Sequence, residues 1–116
     1  MQRVLFVCLG NICRSPTAHG VFEALLSSHP LLGQVEVDSC GTAAWHVGKA
    51  PDERSVAEAR RRGYRLDHLR ARQVDPQDFR DFDYILAMDE ENLAELLTLP
   101  HRHRYSVPAP HRHSPG

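Results

Sequence analysis

Cys8 and Arg14 are separated by five residues, with Gly10 and Asn11 among them and Ser15-Pro16 directly behind. A thiol, a guanidinium and a hydroxyl gathered by one short loop suit nucleophilic attack by sulfur on an oxyanion-bearing centre. Arg14 offers a planar fork that holds two oxygens of a phosphate or arsenate at once. The N–H groups of a curled loop and of a first helical turn have no intrahelical partner and carry partial positive charge. The backbone of Leu9, Gly10, Asn11, Ile12 and Cys13 is therefore expected to line an anion cup. Helix N-termini and nearby arginines favour a thiolate over a thiol, so Cys8 is expected to be the nucleophile on the floor of that cup. Ser15 is placed to hydrogen-bond the sulfur as nucleophile and as leaving group, and Gly10 to allow the sharp turn.

Such a loop needs a strand to deliver it and a helix to close it. Val4-Leu5-Phe6-Val7 supplies the strand, and Pro16 at the first helical position opens a helix to Ser28 with Val21, Phe22, Leu25 and Leu26 at helical spacing. Residues 34–40 read as a second strand with Val35 and Val37 inward, and the crossover length implies a parallel pair. Asp52 is a natural N-cap for a helix ending before Gly63, a natural C′ residue. The run Arg60-Arg61-Arg62 suits a solvated last turn better than a phosphate site. Asp75-Pro76-Gln77-Asp78 has the chemistry of a helix start. Phe79 and Phe82 continue it as a short helix, which feeds a third strand, Tyr84-Ile85-Leu86-Ala87-Met88, apolar enough to be buried on both faces. Asp89 should end that strand and cap a helix to about Leu97, with Leu93, Leu96 and Leu97 inward. The expected fold is α/β: a three-layer, doubly wound parallel sheet with strand one central and the site at its C-terminal end.

Cys8, Arg14 and Ser15-Pro16 behind such a strand resemble the signature of the low-molecular-weight protein tyrosine phosphatases. Further landmarks of that family are Val37-Asp38-Ser39, Gly41-Thr42, Trp45-His46-Val47-Gly48, Pro51-Asp52, Arg72-Gln73, Asp78-Phe79 and Phe82 to Asp89. The resemblance implies hydrolysis of phosphotyrosine proteins or small aryl phosphates in two displacements, with no metal and no other cofactor. Cys8, Arg14 and Ser15 would be catalytic, residues 9–13 would bind the phosphate, and Ser39 and His68 would support the loop. His68 stands beside Leu69, one residue out of register with the family's histidine. Trp45 reads either as a cap on the core or, by the resemblance, as an apolar wall beside the phosphate cup.

The end of the chain departs from the family pattern. Family members continue with a fourth strand, an Asp-Pro-Tyr loop carrying a general acid, and a long last helix. In Val107-Pro108-Ala109-Pro110-His111 of this chain, Ala109 stands where the acid belongs, and no length remains for the helix. The expected organisation is a domain over residues 1–99 and a poorly ordered His/Pro/Arg-rich tail over 100–116. The His-x-His pairs at 101/103 and 111/113 have no acidic or cysteine neighbours and are poor metal ligands.

With 14 Lys and Arg against 15 Asp and Glu, the net charge of −1 carries no nucleic-acid or membrane footprint. Three cysteines without a disulfide pattern, no transmembrane run and no space for a signal peptide before the first strand fit a cytoplasmic protein. Three rival readings remain open. A phosphoarginine phosphatase of this family would typically carry Thr at Ile12. An arsenate reductase of this fold would need a further relaying cysteine pair, which Cys40 alone does not supply. A phosphate or phosphoprotein binding module would follow from loss of the acid.

Overall fold

The computed structural model describes residues 1–99; the expectations for Pro100 to Gly116, including Ala109 and His111, lie outside them. Strand β1 spans Gln2–Cys8, helix α1 Arg14–Leu26, strand β2 Val35–Gly41, helix α2 Glu53–Arg61, helix α3 Asp78–Asp81, strand β3 Tyr84–Ala87 and helix α4 Glu90–Leu97. The strands form one parallel sheet in the order β2-β1-β3. Central β1 is there because Leu5 and Val7 are fully buried. They belong to a core with Cys40, Phe79, Ile85, Ala87 and Leu96. The register sets Cys8 opposite Gly41 and Val7 opposite Ala87, so all three strands end along one edge.

Several elements differ from the sequence expectation. Helix α1 starts two residues earlier, and Pro16 occupies its third position, where a missing N–H still costs nothing. Its buried face is Ser15, Pro16, His19, Gly20 and Leu26, whereas Leu25 is exposed and Val21 and Phe22 are half-buried. Small residues win that face because the helix packs closely. A Cβ on Gly20 would overlap Leu66 Cδ2 and come within 2.9 Å of the Arg65 carbonyl oxygen. Phe22 instead meets Phe6 edge-on at 5.8 Å between centroids.

On β2 the buried residues are Ser39, Cys40 and Gly41, with Val35 and Val37 only half-buried. Tyr84 is exposed, so β3 is not buried along both faces. Pro76 falls in the turn before α3, where Asp75 Oδ1 accepts from Gln77 N at 2.8 Å. Asp52 and Asp89 cap α2 and α4 as expected, accepting from Arg54 N and Asn92 N. Gly63 follows α2 at φ 92°. In α4, Leu96 is fully buried while Leu97 faces solvent.

Candidate active site

The loop between β1 and α1 turns on Asn11, not on Gly10. Asn11 has φ 58°, the left-handed region that asparagine tolerates better than most side chains. Gly10 is needed for space: a Cβ there would lie 2.9 Å from His46 Cδ2. Gly41, opposite Cys8, is needed for the same reason, since its Cβ would lie 2.7 Å from the Leu9 carbonyl oxygen and 3.1 Å from Asn11 N.

One directional chain of hydrogen bonds ends at the sulfur. Arg72 N donates to Asn11 Oδ1 at 3.0 Å, which fixes the amide so that Asn11 Nδ2 donates to Ser15 Oγ at 2.7 Å. Ser15 Oγ lies 3.0 Å from Cys8 Sγ, and Asn11 N donates to the same sulfur at 3.2 Å. Ser15 Oγ spends one of its two lone pairs on Asn11 and directs its proton to the nearer of two acceptors, Cys8 Sγ rather than the Cys40 carbonyl oxygen at 3.4 Å. Cys8 Sγ thus receives two hydrogen bonds in a buried site, an arrangement that stabilises negative charge on sulfur. Among the described residues, the amides of Leu9, Gly10, Ile12 and Cys13 donate to no protein acceptor. They are available to an anion.

Arg14 is anchored from α4. Its Nη1 donates to Asp89 Oδ2 at 2.7 Å, and Nη2 lies 3.5 Å from Asn92 Oδ1. The hydrogen bond to Asp89 raises the guanidinium above its ordinary value. Partial burial pushes the Asp89 carboxyl up, but the Asn92 amide and Arg14 outweigh it and hold the group below the usual carboxylate range. Asp89 is therefore an ionised partner for Arg14, and a poor proton donor in this arrangement. Asn92, which the sequence reading did not single out, is buried and bonds through both its amide and its side chain.

Arg72 is another residue that sequence reasoning missed as a support. Its guanidinium spans both oxygens of buried Asp78, at 3.0 and 3.1 Å, and Nε donates to Asp38 Oδ2 at 3.1 Å. Burial opposes its charge, but the Asp78 hydrogen bonds and neighbouring negative groups leave it raised. Pinning the side chain fixes the backbone N–H that bonds Asn11. A signal existed in the sequence, an arginine six residues before an aspartate, but nothing marked either as buried.

His68 does not brace the loop. Leu69 takes the inward position, and His68, half-exposed, pairs with Glu23 Oε1 at 2.9 Å. Ser39 is buried and bonded to His19 Nδ1 at 2.9 Å. Trp45 is 68% exposed, which excludes a core cap. Its loop is tied to the cup by Ala43 N to Leu9 O at 2.9 Å and by the packing of His46 on Gly10. Ile12 is held through its carbonyl by Asp52 N at 2.7 Å. The Cys13 thiol is exposed in a groove between α1 and α2, 3.1 Å from Ser55 Oγ. Cys40 is fully buried, and burial pushes its thiol far above the ordinary value. Among the described residues no helix is long and apolar enough to cross a membrane.

Residues 3–109 match the family model for low molecular weight phosphotyrosine protein phosphatases. The chain is 48% identical over 99 residues to the low molecular weight protein-tyrosine-phosphatase YfkJ of Bacillus subtilis, covering 85% of this chain and 64% of that protein. Against the low molecular weight phosphotyrosine protein phosphatase of Sus scrofa it is 48% identical over 95 residues, covering 82% of this chain and 60% of that one. The fold superposes on a crystal structure of a protein tyrosine phosphatase from Entamoeba histolytica with a TM-score of 0.85 at 41% identity, covering 92% of this chain and 69% of that chain. This chain thus spans about 64% and 60% of the length of these two curated relatives.

Proposed function

Because the chain belongs to the low molecular weight phosphotyrosine protein phosphatase family, we propose that it hydrolyses phosphotyrosine in proteins, and small aryl phosphates, through a phosphocysteine. The observation that carries this reading is the buried Cys8 sulfur, which accepts from Asn11 N and Ser15 Oγ within a ring of unpartnered amides. In the first displacement Cys8 Sγ attacks phosphorus, the S–P bond forms and the P–O bond to the phenol breaks. Arg14 and the free amides hold the remaining oxygens as charge shifts onto them. Water then attacks phosphorus, the S–P bond breaks, and the Ser15 hydroxyl stabilises the departing thiolate. The loop and Arg14 supply the positive charge, so the scheme needs no metal.

Trp45, Leu9 and Val47 offer exposed apolar surface on the segments tied to the cup, suited to the substrate ring. A phenol leaving group with a pKa of about 10 is normally protonated as it departs. Asp89, held ionised by Arg14, is badly placed for that role, and the position of Ala109 lies outside the described residues. Burial of Cys40 argues against a cysteine relay to Cys8, and with it against arsenate reduction. A cytoplasmic setting suits three unpaired cysteines.

The test is rapid mixing with an activated aryl phosphate. A burst of phenol stoichiometric with enzyme, lost in Cys8→Ser while vanadate binding persists, is the expected result. Turnover above background in Cys8→Ser would remove Cys8 as nucleophile, and vanadate binding without any burst in the wild type would favour a binding module.

A further inference from the structure

His19 is buried on α1, one turn behind Ser15 and on the same face. Its Nδ1 lies 2.9 Å from Ser39 Oγ and its Nε2 3.2 Å from Glu23 Oε2. A carboxylate only accepts, so Nε2 carries the proton of the neutral ring, Nδ1 is the acceptor, and Ser39 donates to it. Ser39 directly precedes Cys40, whose carbonyl oxygen is 3.4 Å from Ser15 Oγ.

The single Ser15 hydroxyl proton therefore has two acceptors in reach, Cys8 Sγ at 3.0 Å and Cys40 O at 3.4 Å. Which one receives it depends on how far β2 stands from α1 at this level. The bond between His19 and Ser39 ties α1 to β2 at that level. We propose that His19 is a positioning residue which, through Ser39, holds the Cys40 carbonyl back so that the Ser15 hydroxyl is aimed at Cys8. The inference rests on the reading of Cys8 as nucleophile and Ser15 as its donor. Leu69 takes the inward position beside His68, and the imidazole that meets Ser39 comes from His19 on α1.

Charged and titratable neighbours on each side bear on the protonation of this ring: Glu23 on α1, Asp38 on β2 and His68 on the segment after α2. Burial holds the imidazole below its ordinary pKa, Glu23 and Asp38 oppose this, and His68 acts with burial. Protonation would turn Nδ1 into a donor and reverse the Ser39 hydroxyl. An acidic limb in the rate of Cys8 chemistry follows, and it should vanish when the ring is replaced.

The experiment uses His19→Gln, His19→Asn, Ser39→Ala and the Gln/Ala double variant. Glutamine keeps a donor toward Glu23 but offers no acceptor at the Nδ1 position; asparagine places an amide oxygen there. In His19→Gln and Ser39→Ala, alkylation of Cys8 by iodoacetate at mildly acidic pH, and kcat for an activated aryl phosphate, should fall about five- to thirtyfold with KM little changed. The double variant should be no slower than either single one. His19→Asn should recover most of the rate without the acidic limb. Simple loosening of the fold would speed alkylation, the opposite sign. Wild-type alkylation in Ser39→Ala, losses that add in the double variant, or an asparagine variant as slow as the glutamine one would each overturn the proposal. Should His19→Gln not fold, Ser39→Ala decides alone. A wild-type protein that is alkylated fast yet hydrolyses no ester would sink the phosphatase reading while leaving this test intact.

Discussion

Replacing Asn11 by alanine should damage stability and chemistry by separable amounts. The substitution leaves Arg72 N without its acceptor at 3.0 Å and Ser15 Oγ without its donor at 2.7 Å. A part-buried N–H stripped of its partner costs about 1–3 kcal/mol. A residue less tolerant of φ 58° than asparagine adds roughly 1 kcal/mol of backbone strain. Together these give about 2–4 kcal/mol of destabilisation, which a urea unfolding midpoint will register. Glycine at the same position removes the side chain without the strain, so Asn11→Gly should be more stable than Asn11→Ala by roughly 1 kcal/mol.

The chemical loss should be common to both variants. Once Asn11 Nδ2 no longer occupies the Ser15 lone pair, the hydroxyl is free to turn toward Cys40 O, and the sulfur loses one of two donors. That forfeits about 1–2 kcal/mol at the reacting atom. The burst rate with an activated aryl phosphate, measured well below the unfolding transition, should drop roughly five- to thirtyfold in each. Wild-type burst kinetics in either variant would refute the directional chain from Arg72 to Cys8. Equal stability of the two would refute the part assigned to backbone strain.

Peroxide should drive Cys8 to a sulfenic acid that condenses with exposed Cys13, releasing water, before a further two-electron oxidation makes the loss irreversible: a thiol reductant restores activity, and mass spectrometry should find the 8–13 disulfide, whereas sulfinic or sulfonic Cys8 alone would reject it. Across a series of aryl phosphates, the first step should depend steeply on leaving-group pKa, with phosphotyrosine slower than activated esters by about 10²–10⁴. A flat dependence whose acidic limb disappears in Asp89→Asn would show that Asp89 donates the proton after all, against its ion pair with Arg14.

The loop between β1 and α1 was legible because its parts are neighbours in the chain: Cys8, Gly10, Arg14 and Ser15 advertise a strand, a loop and a helix start within a dozen or so residues. What braces the cup was not legible. Arg72, His19 and Asn92 reach it only through the β2-β1-β3 register and the segment after α2, and a lone arginine, histidine or asparagine carries no sign of the partner it meets. Apolar spacing misplaced the buried face of α1 because Gly20 and Ser15 win it by being small, a criterion hydrophobicity does not measure. Glycine at position 10 suggested a turn, yet the left-handed residue is Asn11, and the glycine answers to His46.

Thr42 N donates to Cys8 O and Ala43 N to Leu9 O, so the pairing of β1 with β2 runs on past the ends of both strands into the cup itself. Folding kinetics inherit that arrangement. Contacts between the start of the chain, the forties and the seventies carry a large loop-closure entropy and form late relative to the helices. The cup cannot assemble from residues 8–15 alone, however completely their identities announce it. During refolding, the selective reactivity of Cys8 should therefore emerge with the last long-range contacts, behind the helical signal, which makes the thiol an internal clock for completion of the sheet.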